Sequence, residues 1–109
     1  MARFIWTAWN TAHIAIHGVT REEAEFVVTH RKRPYPMAQG DVKWLVRGQT
    51  HRGRYIQVVY VLESDANIDY AEIDLLQLSE KADAFYVIHA RPLEESEKRN
   101  LRKQRRKRQ

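Results

Sequence analysis

The five-residue run Val58-Val59-Tyr60-Val61-Leu62 limits the possible folds more than any other stretch of this chain. It lacks the alternation of a strand with one wet face, and its residues suit a pleated surface. A strand of this kind has both faces covered. The stretch Arg54 to Leu62 is therefore expected at the centre of a sheet, with other elements packed above and below. Phe85 to Arg91 is nearly as apolar and predicts a second strand, stopped by Pro92. A third, Val42 to Thr50, sets Val42, Trp44 and Val46 against Lys43, Leu45 and Arg47. Between it and Arg54, His51-Arg52-Gly53 predicts a tight hairpin connection.

Helices flank these strands. After a short extended segment, Arg3 to Trp6, a helix is expected from Ala8 to His17, with Thr7 as its N-cap and Gly18 ending it. Trp9, Ala12 and Ile16 share one side of it, and His13 and His17 another. Thr20-Arg21-Glu22-Glu23 is a capping box opening a second helix that ends near His30, with Ala24, Val27 and Val28 as its buried stripe. Arg31 to Gly40, with Pro34 and Pro36, reads as a loop. A last helix begins near Leu93, with i,i+4 pairs Glu94–Lys98 and Glu95–Arg99. The expected fold is α+β: two N-terminal helices packed on a small antiparallel sheet, then a charged C-terminal helix.

The charge is distributed unevenly. Residues 98–109 hold 8 of the 19 Lys and Arg and none of the 14 Asp and Glu, so a body of net charge −3 carries a tail of +8. From Leu93 onward, only Leu93 and Leu101 are apolar. The expected organisation is one domain over 1–97 and a basic tail over 98–109 that frays into solvent, so removing the tail should leave the core untouched. Glu63 to Ala84 holds seven acids and one lysine, and within it Tyr70 to Leu76 reads equally as a short strand extension or a helix. No apolar run exceeds five residues, far short of the ~20 that a membrane-spanning helix needs. The absence of cysteine fits a reducing cytoplasm and excludes thiolate metal sites.

Several side chains could carry chemistry. His13 and His17 have the spacing of two helix-borne zinc ligands, but no glutamate of the metalloprotease motif accompanies them. The alternative is a pair of helix-surface histidines. His17, near a helix C-terminus, suits proton or phosphate handling. Lys43 and Arg47 share one strand face, and His89 and Arg91 share another. If these faces coincide, with His51, Arg54 and the Tyr60 hydroxyl nearby, the sheet presents a cationic surface suited to a nucleic-acid backbone. The alternative is a solvated face paired with the acids of 63–83. Lys98, Arg99, Arg102, Lys103, Arg105, Arg106, Lys107 and Arg108 form a phosphate-seeking stretch with no aromatic residue to stack on bases.

The string from Trp6 to Ala24, WTAWNTAHIAIHGVTREEA, resembles the N-terminal signature of BrnT-type toxins and their uncharacterised relatives. Val46-Arg47-Gly48-Gln49-Thr50, Gly53 to Tyr60 and Tyr86 to Pro92 follow in the family's order and spacing. The resemblance implies a RelE-like fold and a small ribonuclease, the toxin of a type II toxin-antitoxin system. It also implies an antitoxin partner with a ribbon-helix-helix DNA-binding part. His17, Arg47, Arg54 and Arg91 are the matching polar positions. Where the family often has an aspartate after the first Trp and a lysine in helix 1, this chain has Thr7 and Asn10.

On this reading the RNA 2′-OH attacks the adjacent phosphate, which requires no metal or other cofactor. Arg54 and Arg91 are expected as phosphate clamps and His17 as an acid or base. Lys43, Arg47, His89 and the tail cations are expected to bind RNA. The rival expectation is a non-catalytic nucleic-acid- or partner-binding module on the same fold.

Overall fold

The computed structural model describes residues 3–62 and 84–107, with side chains in the last helix as far as Gln104. The elements run β1 (Arg3–Phe4), α1 (Ala8–Ala15), α2 (Arg21–Thr29), β2 (Met37–Gln39), β3 (Lys43–Gln49), β4 (Tyr55–Leu62), β5 (Ala84–Pro92) and α3 (Glu95–Lys107). The five strands form one sheet in the order β1-β5-β4-β3-β2. The unalternating strand β4 lies at its centre, as its sequence demands. Ile56, Val58 and Tyr60 join Val46, Phe85 and Val87 with Ile14, Ala24, Val27 and Val28 in the core.

The sheet differs from the expected antiparallel meander in two ways. β1 pairs with β5 in parallel, so the sheet is mixed. Within the expected loop, Met37 to Gln39 adds an antiparallel edge strand on β3. Pro34 and Pro36 precede that strand and take no ladder position, so the prolines limit it without preventing it. The β3–β4 hairpin is regular: Thr50 N–H donates to Arg54 O at 2.8 Å and Gly53 N–H to Thr50 O at 2.9 Å. Gly53 has φ of +88°, a conformation that strains any residue with a Cβ.

α1 is shorter than its sequence predicts. Its last turn tightens into i→i+3 bonds, His17 N–H to Ile14 O at 3.1 Å and Gly18 N–H to Ala15 O at 2.9 Å. His17 thereby closes the tightened turn just before Gly18, which sits at φ of +75°. The inward side of α1 is Asn10 and Ile14, both 0% exposed, while Trp9 and Ile16 are 57% and 75% exposed. Thr7 and Asn10 form a reciprocal capping box: Thr7 N–H donates to Asn10 Oδ1 at 2.6 Å and Asn10 N–H to Thr7 Oγ1 at 3.2 Å. Asn10 Nδ2 also donates to Ile5 O at 3.0 Å. Thr7 and Asn10 thus cap the helix together. The capping box at Thr20 and Glu23 opens α2 as expected, over Ala24, Val27 and Val28.

α3 continues without a break past residue 98. Leu101 is 2% exposed, and the Tyr35 hydroxyl donates to Gln104 Oε1 at 3.0 Å. One leucine and one hydrogen bond, spaced three residues apart on the same helix face, dock this end of the helix. The i,i+4 pairs expected at its start are replaced by an i,i+3 pair, Lys98 with Glu95 at 3.2 Å. No described helix is long and apolar enough to cross a membrane. The acidic stretch that follows β4 lies outside the described residues.

Candidate functional site

Strand register builds the first cluster. Arg47 on β3 stands opposite Gln57 on β4, and Gln57 opposite Arg91 on β5, so the three make one row across the sheet. The faces bearing Arg47 and Arg91 therefore do coincide. Their charge is closed from above by Glu97, in the first turn of α3. Arg91 grips it as a fork, Nη1 to Oε1 at 2.9 Å and Nη2 to Oε2 at 2.7 Å. Arg47 Nη2 adds a third bond at 3.1 Å, and Glu94 N–H a fourth at 2.7 Å. Gln57 Oε1 accepts from Arg47 Nε at 3.0 Å. The Arg91 hydrogen bonds, helped by the Glu94 amide, hold the Glu97 carboxyl down at about 2, and Glu97 in turn raises Arg91.

The second cluster is made of imidazoles. His17 after α1 and His13 one turn earlier both face His89 of β5, with ring centroids 5.2 and 6.0 Å from it. The β4–β5 register shifts between Val59 and Tyr60, leaving Ile88 as an extra residue beside His89. Burial pushes the His89 pKa down, and the positive charges of His17, His13 and Arg91 push it further the same way. Among the described residues none of these three histidines forms an ion pair with a carboxylate. Trp9 extends the cluster outward, its ring stacked on His13 at 4.8 Å and 9°.

Arg54 joins this cluster to the start of α2. Its Nη1 donates to Gly18 O at 2.7 Å and to both Glu23 oxygens at 3.2 Å. Glu23 thus has two jobs, capping α2 and holding Arg54. Arg54 also lines an open cleft of about 530 Å³ with Gly18, Thr20, Glu22, Phe26, Thr50, His51 and Arg52. His17 and Arg54 meet through Gly18, and His89 feels the charge of both His17 and Arg91. Of the expected trio, His17 and Arg54 meet at a rim beside Gly18, whereas Arg91 stands in the neighbouring row and reaches this rim only through its charge on His89.

Other expected positions lie apart from this rim. Tyr60 is buried in the core, edge-on to Phe85 at 4.8 Å, on the opposite sheet face from the Arg47–Gln57 row. It is a packing residue. Lys43 is exposed at the start of β3, four residues from Arg47. His51 stands on the hairpin against the edge of Phe26. Lys98 and Arg102 lie over the Tyr55 ring at 6.0 and 5.3 Å, whereas Arg99 and Lys103 are exposed. The side chains of Arg105, Arg106, Lys107 and Arg108 lie outside the described residues. Sequence reasoning missed Gln57 and Glu97. A glutamine inside an apolar strand was the available signal for the first. Glu97 had none, because one of several glutamates on a charged helix reads as solvated.

Among the described residues no set of three His, Asp or Glu side chains is arranged to hold a metal ion. No family model, curated protein or solved structure matches this chain.

Proposed function

We propose that this protein is an endoribonuclease of the RelE-like kind, the toxin of a type II toxin-antitoxin system, cleaving RNA through its own 2′-OH. The observation that carries the reading is the adjacency of His17 and His89, with the His89 pKa depressed by burial and by like charges. Transesterification needs one group to accept a proton while another gives one. Two adjacent imidazoles can supply both, one in its neutral and one in its protonated form, since this side chain exchanges its proton near neutrality. His89, held neutral, accepts the 2′-OH proton as that oxygen bonds to phosphorus. His17, as imidazolium, donates a proton to the departing 5′ oxygen. The products are a 2′,3′-cyclic phosphate and a free 5′-OH, with His89 protonated and His17 neutral.

The arginines take different parts. The side-chain hydrogen bonds of Arg54 among the described residues use Nη1, so Nε and Nη2 are its groups for a phosphorane oxygen. Arg91 is committed to Glu97 through both terminal nitrogens and acts through its charge on His89. Lys43, Arg99 and Lys103 contribute sequence-independent attraction for RNA. A cognate antitoxin would silence the enzyme by covering the rim.

Induced alone in a bacterial host, the chain should arrest growth, and purified protein should leave cyclic-phosphate ends on RNA. His17→Ala and His89→Ala should remove both effects. Normal growth with folded, soluble wild-type protein would defeat the reading. One observation favours the rival, a non-catalytic nucleic-acid- or partner-binding module: Arg47, Arg54 and Arg91 all carry internal carboxylate partners.

A further inference from the structure

Trp9 is an unexplained expense on the surface of α1. The inward side of that helix is filled by Asn10 and Ile14, and Trp9 contributes nothing to the core while exposing more than half of a large apolar ring. Its neighbours give it a direction. One indole face is stacked on His13, and His13 meets His89 edge-on. From the indole to the His17–His89 pair there are thus two ring contacts, with centroids 4.8 and 6.0 Å apart. We infer that the exposed face of Trp9 is a stacking platform for a nucleobase next to the scissile phosphate of single-stranded RNA. The inference rests on the ribonuclease reading of the neighbouring histidines.

The occupant follows from size and charge. Trp9 and the residue that caps α1, Ile16, are the exposed large apolar residues here, and together they offer far less than the ~800 Å² per partner of a stable protein interface. Their surroundings are imidazoles and, beyond Gly18, the Arg54 guanidinium. A flat, open indole beside cationic groups suits an unpaired base whose phosphate is held next to it. Every base has such a face, so the platform orients the substrate and is tolerant of sequence. It also separates two kinds of affinity. Cationic residues attract phosphates in a salt-dependent way, while stacking on Trp9 persists as salt rises.

The test uses the full chain and a short single-stranded RNA with 2′-O-methyl riboses, which binds but cannot be cleaved by 2′-OH attack. Tryptophan fluorescence should be quenched on titration, because Trp9 is the exposed indole while Trp6 and Trp44 are half-buried. Trp9→Phe should lose that quenching and keep part of the affinity. Trp9→Ala should bind about 5- to 100-fold more weakly, the loss of one stacked base, with the deficit persisting at raised salt. Unchanged affinity in Trp9→Ala, or quenching that survives in Trp9→Phe, overturns the inference. So does sedimentation showing a wild-type dimer that Trp9→Ala dissolves, since a second copy would then be the occupant. Wild-type protein that binds through Trp9 yet never cleaves unmodified RNA keeps the platform and removes the ribonuclease reading instead.

Discussion

Two polar clusters stand side by side on this sheet, and they resolve their charge in opposite ways. In the Arg47–Gln57–Arg91 row, two guanidinium groups share the Glu97 carboxylate through three bonds of 2.7 to 3.1 Å. Opposite charges are matched, the carboxylate is held strongly ionised, and α3 is fastened across three strands. In the His13–His17–His89 group like meets like, with no carboxylate ion pair among the described residues. Burial first, and then the neighbouring positive charges, push the His89 pKa down. The first arrangement holds protons fixed over the physiological range. The second can exchange them, and proton exchange is what acid–base chemistry requires.

The comparison breaks most visibly in catalysis. His89→Ala and His17→Ala should each reduce RNA cleavage by about 10²- to 10⁴-fold, the usual worth of a general acid or base. Neither is part of a matched pair, so thermal unfolding should hardly move. A large drop in melting temperature with either variant would place the imidazoles in the structural class with the arginine row.

Next in size is removal of residues 98–109. The sequence alone suggests almost no effect. The packed helix predicts a loss of about 3–4 kcal/mol, from the buried Leu101 and the Tyr35–Gln104 bond together. Chemical denaturation of full-length and truncated chains decides between these outcomes, and Leu101→Ala alone should reproduce most of the loss.

Glu97→Gln should destabilise by about 2 kcal/mol, because it leaves two half-buried guanidinium groups without their anion. The same pair sets an acid limit. Glu97 is held at about 2 against an ordinary 4.5, so its contribution is complete above about 4.5 and is lost as pH falls from there toward 2. In a stability profile against pH, Glu97→Gln should flatten that decline. A profile identical to wild type would mean the fork contributes nothing.

The smallest effect lies within the imidazoles. His17→Gln removes one of the charges that lower His89, so the His89 pKa should rise back toward its ordinary value, read by NMR titration of the ring. The sign for stability follows from the depression of His89. The unfolded chain takes up this proton first, so the fold loses stability as pH falls below about 6.5, and His17→Gln should lessen that loss. A His89 resonance that titrates at the same pH in both proteins would show the two rings to be uncoupled.

Local signals in the sequence were sufficient for most of the elements. The unalternating run at Val58 placed β4 at the centre, because an apolar strand has nowhere else to be dry. The Thr20–Glu23 box opened α2, and Gly53 turned the hairpin, each through bonds made within a few residues. The Thr7 cap of α1 is legible in the same way, but its reciprocal bond from Asn10 is not, since asparagine replaces the usual glutamate. Tertiary structure alone decided which charges meet. That Arg47 and Arg91 share a row depends on the register of three strands, and that Glu97 lies over it depends on where one buried leucine docks α3. His17 and His89 are 72 positions apart in the chain, and neither residue's neighbours reveal the other. Capping, turns and hydrophobic periodicity act over a few residues and can be read from the chain. The pairing of distant side chains is set by packing, whose geometry no short stretch contains.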